Sequence, residues 1–138
     1  MEAEDTKAVV RRYFEEFHNG RQHDIIDEII DPELVEPTRE ATRKIVTGFP
    51  DYRFTIEDQI GEGDRVATVW SAEGTHQGVW DSPIGDIPAS GKQLTWTGTT
   101  TVRVTNGKIS GVIGSNHDHL GILQQIGALA ATAPRPGA

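Results

Sequence analysis

The stretch Leu94-Thr-Trp-Thr-Gly-Thr-Thr-Thr-Val-Arg-Val-Thr-Asn-Gly-Lys-Ile-Ser-Gly-Val-Ile-Gly-Ser-Asn-His117 decides the fold. Its first half, Leu94 to Val104, is long and threonine-rich, with Thr95, Thr97, Thr99 and Thr101 on one face of a strand. Asn106-Gly107 follows, and both positions accept positive φ, so the chain turns in a tight hairpin. Lys108 to about His117 returns as the partner strand. Antiparallel pairing is therefore the frame to which the rest must attach.

Upstream the same period of two continues. Phe54, Ile56, Asp58 and Ile60 alternate with Arg53, Thr55, Glu57 and Gln59, Gly61 and Gly63 turn the chain, and Arg65 to Gly74 forms the next strand. The segment from His76 to Gly91 is rich in Gly, Pro and Asp and is expected to be a long loop. The N-terminal third reads as helix. Val10, Tyr13, Phe14 and Phe17 recur three and four apart behind a Thr6 cap, and Asn19-Gly20 ends the helix. A second helix, about His23 to Ile30, turns Ile25, Ile26, Ile29 and Ile30 inward and stops at Asp31-Pro32. A third runs from Glu36 to Thr47 with Pro37 in its first turn. A short last helix is expected from Leu120 to about Ala130. Helices followed by antiparallel strands indicate an α+β fold.

The chain has 138 residues, 36% hydrophobic and 25% charged, with a net charge of −8 and no cysteine. That fits one domain, residues 1–130, with 131–138 expected to be a disordered tail. Disulfides, thiolate nucleophiles and cysteine-ligated metals are excluded. The acidic balance, with no Lys/Arg-rich run, argues against nucleic acid and anionic membranes as partners. No apolar run is long enough for a membrane span, and Met1-Glu-Ala-Glu-Asp-Thr-Lys7 lacks the apolar core of a signal peptide, so a cytoplasmic location is expected. No phosphate-cradling glycine loop or Gly-x-Ser-x-Gly elbow is present.

Five segments occur in a telling order: Gly74-Thr-His-Gln-Gly78, Ile87-Pro-Ala-Ser-Gly-Lys92, Leu94-Thr-Trp-Thr-Gly98, Asn106-Gly-Lys-Ile109 and Asp118-His-Leu-Gly-Ile-Leu-Gln-Gln-Ile-Gly127. Tyr13-Phe-Glu-Glu-Phe-His-Asn-Gly20 and Phe49-Pro-Asp51 fit with them. Together, over residues 6 to 128, the chain resembles the SnoaL-like polyketide cyclases of the NTF2-like superfamily. The resemblance implies a cone-shaped, strongly curved antiparallel sheet covered by N-terminal helices, with a short C-terminal helix. It implies a homodimer or homotetramer, and aldol ring closure of a small hydrophobic, planar, polyketide-type substrate without metal or organic cofactor. It also implies an aspartate acid/base near the end of the last strand, here Asp118. One departure stands out. Many relatives carry a longer segment before the third helix, whereas Leu34-Val-Glu-Pro-Thr38 runs almost directly into it, which implies a wider pocket mouth or another closure.

Ring closure needs a base for a proton on carbon flanked by carbonyls and an acid for the receiving carbonyl, and one carboxyl of raised pKa can serve as both. Asp118 lies where an apolar strand meets an apolar helix, with Asn116 as a nearby hydrogen-bond donor. It reads either as that carboxyl or as the cap of the last helix. His76, between Gly74 and Gly78, is a second candidate acid or a structural histidine. Tyr13, Trp70, Trp96, Asn116 and His117 are candidate substrate contacts, with ordinary core packing as the alternative for the aromatics. His117 and His119 share a strand face and would need a third ligand such as His76 to hold a metal, so no metal is expected. If those histidines face the cavity, Asp118 faces away.

Three functions follow: a cofactor-independent cyclase or isomerase, an epoxide hydrolase or epoxide-opening cyclase, and a non-catalytic binding module or accessory subunit. The epoxide chemistry needs two aspartates beside an arginine, and Arg103 has threonine at both flanking positions, 101 and 105. A solvent-facing Asp118 with a cavity filled by Trp70 and Trp96 would favour the binding module.

Overall fold

A computed structural model describes residues 3–128, so the expected disordered tail lies outside the described residues. Helix α1 (Ala3–Arg12) continues as a π-helical segment, Tyr13–Asn19. Thr6 lies fully buried inside α1 and does not cap it. The left-handed residue after this helix is Arg21, at φ 55, while Gly20 keeps φ −78. The Arg21 guanidinium sustains that conformation by donating to the carbonyls of His18, Pro50 and Tyr52 and lying 3.8 Å over the Tyr52 ring.

A 3-10 turn (His23–Ile25) leads into α2 (Ile26–Ile29), and all four expected isoleucines are buried. Asp31-Pro32 starts the next helix as well as ending this one. Asp31 Oδ1 accepts from Glu33 N at 3.0 Å, and α3 (Pro32–Gly48) begins four residues before the expected Glu36. Leu34–Thr38 is thus helix, and Pro37 sits inside it.

The strands are β1 (Arg53–Glu62), β2 (Arg65–Thr75), β3 (Trp80–Ser82), β4 (Gly85–Ile87), β5 (Gln93–Thr105) and β6 (Lys108–His117), followed by α4 (His119–Gln125). Four form an antiparallel sheet in the order β1-β2-β5-β6. Asn106 and Gly107 take φ 52 and 77, the positive values expected at the hairpin. The segment expected as a loop contains the β3–β4 hairpin, where Trp80 pairs with Ile87. In β1 a bulge between Ile56 and Asp58 breaks the expected alternation. Gln59 turns inward to Thr68 Oγ1 at 3.2 Å, and Ile60 is 62% exposed. Two further bulges, opposite Thr101/Val102 and Arg103/Val104, bend the β5–β6 hairpin.

The inner face presents Val66, Trp70 and Ala72 of β2, Leu94, Trp96, Val102 and Val104 of β5, and Ile109 of β6. Helical Val10, Phe14, Phe17 and the isoleucines of α2 pack on it as one core. Each such side chain contributes about 1.5–3 kcal/mol on burial. Thr95, Thr97, Thr99 and Thr101 lie on the outer face, exposed or half-buried. Among the described residues no helix is long and apolar enough to cross a membrane.

Candidate functional site

Where the first helix and α3 rest on the curved sheet they leave a cavity of about 280 Å³. Phe54, Trp70, Thr100, Val102 and Ile109 form its floor, Tyr13, Phe14 and His18 one wall, and Leu34, Thr38, Thr42 and Ile45 the cover. It opens between Pro37 and Ala41 of α3 and Val112, Ser115 and His117 of β6, the exposed part of its lining. The size suits a small apolar ligand fixed by a few polar groups. No Asp, Glu, Lys or Arg lines it, and its titratable groups are Tyr13, His18 and His117.

Gly98 makes room for the floor. A Cβ there would lie 2.3 Å from Trp70 Cζ2 and 2.5 Å from the Asn116 carbonyl, so only glycine lets the indole cross β5. Trp70 Nε1 donates to Thr100 Oγ1 at 3.0 Å, Thr100 Oγ1 lies 3.4 Å from Ser115 Oγ, and Ser115 Oγ lies 3.1 Å from His117 Nε2. Indole N–H can only donate, so this row of hydroxyls runs from a fixed donor to the imidazole. The His117 ring meets Trp70 edge-on at 4.9 Å and stacks on His119 at 5.3 Å. Burial against these neighbours, with a smaller effect of His119, lowers the His117 pKa and favours the neutral imidazole.

The opposite wall is built by the π-helical segment. Asn19 locks it to β1, its Nδ2 donating to the Phe54 carbonyl at 2.7 Å and its Oδ1 accepting from Phe54 N at 2.8 Å. His18, 5% exposed, has Nδ1 at 2.9 Å from Tyr52 Oη and the Tyr13 ring 4.6 Å away. Burial, aided by His23 and Arg21, depresses its pKa to about 3. Burial pushes the Tyr52 phenol up to about 12 and raises that of Tyr13 as well, so both stay protonated. His18 was missing from the sequence candidates. It falls four residues after Phe14, on the same apolar stripe, and that spacing was the available signal.

Of the candidates read from sequence, Tyr13, Trp70 and His117 come together here. Asp118 is exposed and outside the cavity lining. Its Oδ1 accepts from Gly121 N at 2.9 Å, capping α4, and a Cβ at Gly121 would lie 2.3 Å from Oδ2. The dry setting expected for this carboxyl is absent, because His117 takes the inward position at the end of β6. Asn116, paired with Thr99, is exposed on the outer face. Trp96 is core, 5.1 Å from Phe49, so it leaves the cavity unfilled. His76 is fully buried away from the cavity lining. Its Nδ1 accepts from Ser90 N at 3.1 Å and its ring stacks on Phe49 at 5.4 Å, anchoring the base of the β3–β4 hairpin. Its Nε2 has no partner in hydrogen-bond geometry, although backbone groups of Ile87 and Gly78 partly offset the lowering of its pKa by burial. Arg103 pairs with Asp64 at 2.6 Å, outside the cavity lining, so it forms no epoxide-opening cluster there. Among the described residues no three His, Asp or Glu side chains converge to hold a metal ion.

The family model described as SnoaL-like polyketide cyclase matches residues 8–126. The chain belongs to the SnoaL-like polyketide cyclase family. Solved relatives share its NTF2-like fold. A candidate SnoaL-like polyketide cyclase from Jannaschia sp. CCS1 superposes with TM-score 0.77 at 19% identity, covering 92% of this chain and 94% of its own. IdmH, a candidate polyketide cyclase from Streptomyces antibioticus, gives 0.72 at 23%, covering 88% and 98%. AclR from Streptomyces galilaeus, a candidate hydroxylase, gives 0.78 at 17%, covering 96% and 87%. No curated protein matches the chain significantly. Relatives of this SnoaL-like fold thus carry differing activity descriptions, and the reaction must be argued from the cavity's own side chains.

Proposed function

We propose that this SnoaL-like protein is a cofactor-independent cyclase in which His117 moves the proton of an aldol-type ring closure. The carrying observation is that the cavity is lined by no carboxylate, while the imidazole at its mouth is tied into a row of hydroxyls. A neutral imidazole suits general-base work near neutral pH. His117 takes the proton from a carbon flanked by two carbonyls, and the resulting enolate carbon attacks a carbonyl carbon within the same molecule. The proton then returns to the new alkoxide. The flat Trp70 floor and apolar walls favour a planar, hydrophobic substrate. Assembly as a homodimer or homotetramer belongs to the same proposal, with the threonine face of β5 as the meeting surface.

Exchange of the central C–H of a planar 1,3-diketone in deuterated water, followed by NMR, tests the role of His117. His117→Asn is expected to slow exchange roughly 10²- to 10⁴-fold, the usual worth of a positioned base. Asp118→Asn, which keeps the cap, should exchange like the parent. Full exchange by His117→Asn rejects the assignment, and its loss in a folded Asp118→Asn protein moves the role to the aspartate. The exposed carboxyl of Asp118 also favours a second reading, a binding module without catalysis. Binding of the diketone with no exchange above solvent would select it.

A further inference from the structure

The wall facing His117's end of the cavity holds a group that the proton-transfer step leaves unused. His18 is buried, it lines the cavity, and one of its ring nitrogens is already committed to Tyr52. The direction of that hydrogen bond follows from what else Tyr52 can do. Tyr52 is 1% exposed, and among the described residues its hydroxyl has no other hydrogen-bond acceptor. Were His18 Nδ1 to donate, the phenol proton would be buried with nothing to accept it. When Tyr52 donates to Nδ1, both groups are satisfied and the imidazole proton must reside on Nε2, the ring nitrogen that Tyr52 does not engage.

The tautomer is further held by what surrounds the pair. Arg21 crosses the Tyr52 ring at 3.8 Å and fixes the segment by donating to the Tyr52 and His18 carbonyls. The titratable and charged groups around His18 are Arg21 and His23 beyond the π-helical segment, Tyr13 within it and Tyr52 ahead of β1. Two of these are cationic or able to become so, and none is a carboxylate that would draw a second proton onto the ring. The phenol of Tyr13 lines the same wall, and no hydrogen bond within the described residues engages its hydroxyl.

We propose that His18 presents a fixed, neutral Nε2–H to the cavity as the hydrogen-bond donor for a carbonyl or enolate oxygen of the ligand, with Tyr13 Oη as its neighbour. This rests on the reading of the cavity as a ring-closing site and deepens it by giving the substrate's oxygen a named receptor. As His117 removes a carbon-bound proton, the negative charge moves to that oxygen and the His18 proton stays on nitrogen. A donor that never charges stabilises the enolate by position and cannot exchange roles with the base. The ligand class follows: a planar, apolar molecule bearing an ionisable enol or phenol oxygen.

Nitrogen-15 NMR of the imidazoles in the full chain, with and without 4-nitrophenol as probe, tests the proposal between about pH 5 and 8, where an ordinary histidine titrates. His18 is expected as the Nε2–H tautomer throughout, with its Nε2–H proton moving downfield when the probe binds and the bound phenol shifted towards phenolate. Tyr52→Phe frees Nδ1, so a mixture of tautomers and roughly tenfold weaker probe binding are expected, a tenfold change being the scale of one lost hydrogen bond. A His18 that titrates in this range, an Nδ1–H tautomer, a probe that fails to bind, or a probe that leaves the Nε2–H signal unmoved overturns the proposal. These readouts need no turnover. A chain with the expected tautomer and probe response but no diketone exchange would refute the cyclase reading and leave the oxygen receptor standing.

Discussion

At the scale of single residues, His117 lines the cavity while its neighbour Asp118 caps α4. Asp118 is a cap, and its removal is a stability question. Asp118→Ala is expected to cost about 1 kcal/mol in urea unfolding, whereas Asp118→Asn should cost a few tenths at most, because asparagine caps nearly as well. Equal losses for both would mean that the charge itself matters to the fold. The candidate residues were only partly legible. Tyr13, Trp70 and His117, singled out in the sequence as aromatic and imidazole groups at helix and strand positions, line the same cavity. His18 was hidden because its stripe on the helix reads as core, and its hydrogen-bond partner Tyr52 lies 34 residues away in sequence.

Among the elements, β5 carries the most specific constraint. The pairing of Trp70 with Gly98 and of Gly98 with His117 sets three neighbours in a row across β2, β5 and β6. Gly98→Ala would drive a methyl group into the indole and the Asn116 carbonyl, so Trp70 must tilt or the strands must part. Such overpacking costs about 1–3 kcal/mol, and the tilted indole would break the bond to Thr100. A fall in thermal midpoint together with altered tryptophan fluorescence is the expected result. An unchanged midpoint would show that the floor is more yielding than its packing implies. Strand bounds were legible because period two and Asn106-Gly107 are local signals. The start of α3 was misread because Asp31-Pro32 suits a stop and a start equally well. The β3–β4 hairpin was missed because three-residue strands among Gly and Pro leave no periodicity to count.

For the molecule as a whole, the histidines whose pKa is lowered determine how stability responds to mild acid. The folded-state pKa of His18 lies near 3, below the usual 6.5 of an unfolded chain. Below about pH 6.5 the unfolded state therefore binds a proton that the folded state refuses, and stability falls as the pH drops. Above that value the group contributes nothing to the pH dependence. One such site sets a slope of about 1.4 kcal/mol per pH unit. His117 and His76 shift in the same direction. Urea midpoints should decline from pH 7 to 5, and His18→Gln should flatten the decline. A parent profile without any slope would mean that His18 takes up its proton freely in the folded protein.

The sequence by itself determined the α+β order, the central hairpin, the isoleucine face of the second helix and membership of the family, since all of these rest on local periodicity and residue order. Which side chain ends β6 inside the cavity was decided only by tertiary structure. Alternation along a strand changes sides with every residue, so one bulge reverses everything beyond it. Two bulges face β5, turning Val112 inward and then restoring the count, so that Ser115 and His117 reach the cavity while Asp118 is left to the solvent and the helix it caps.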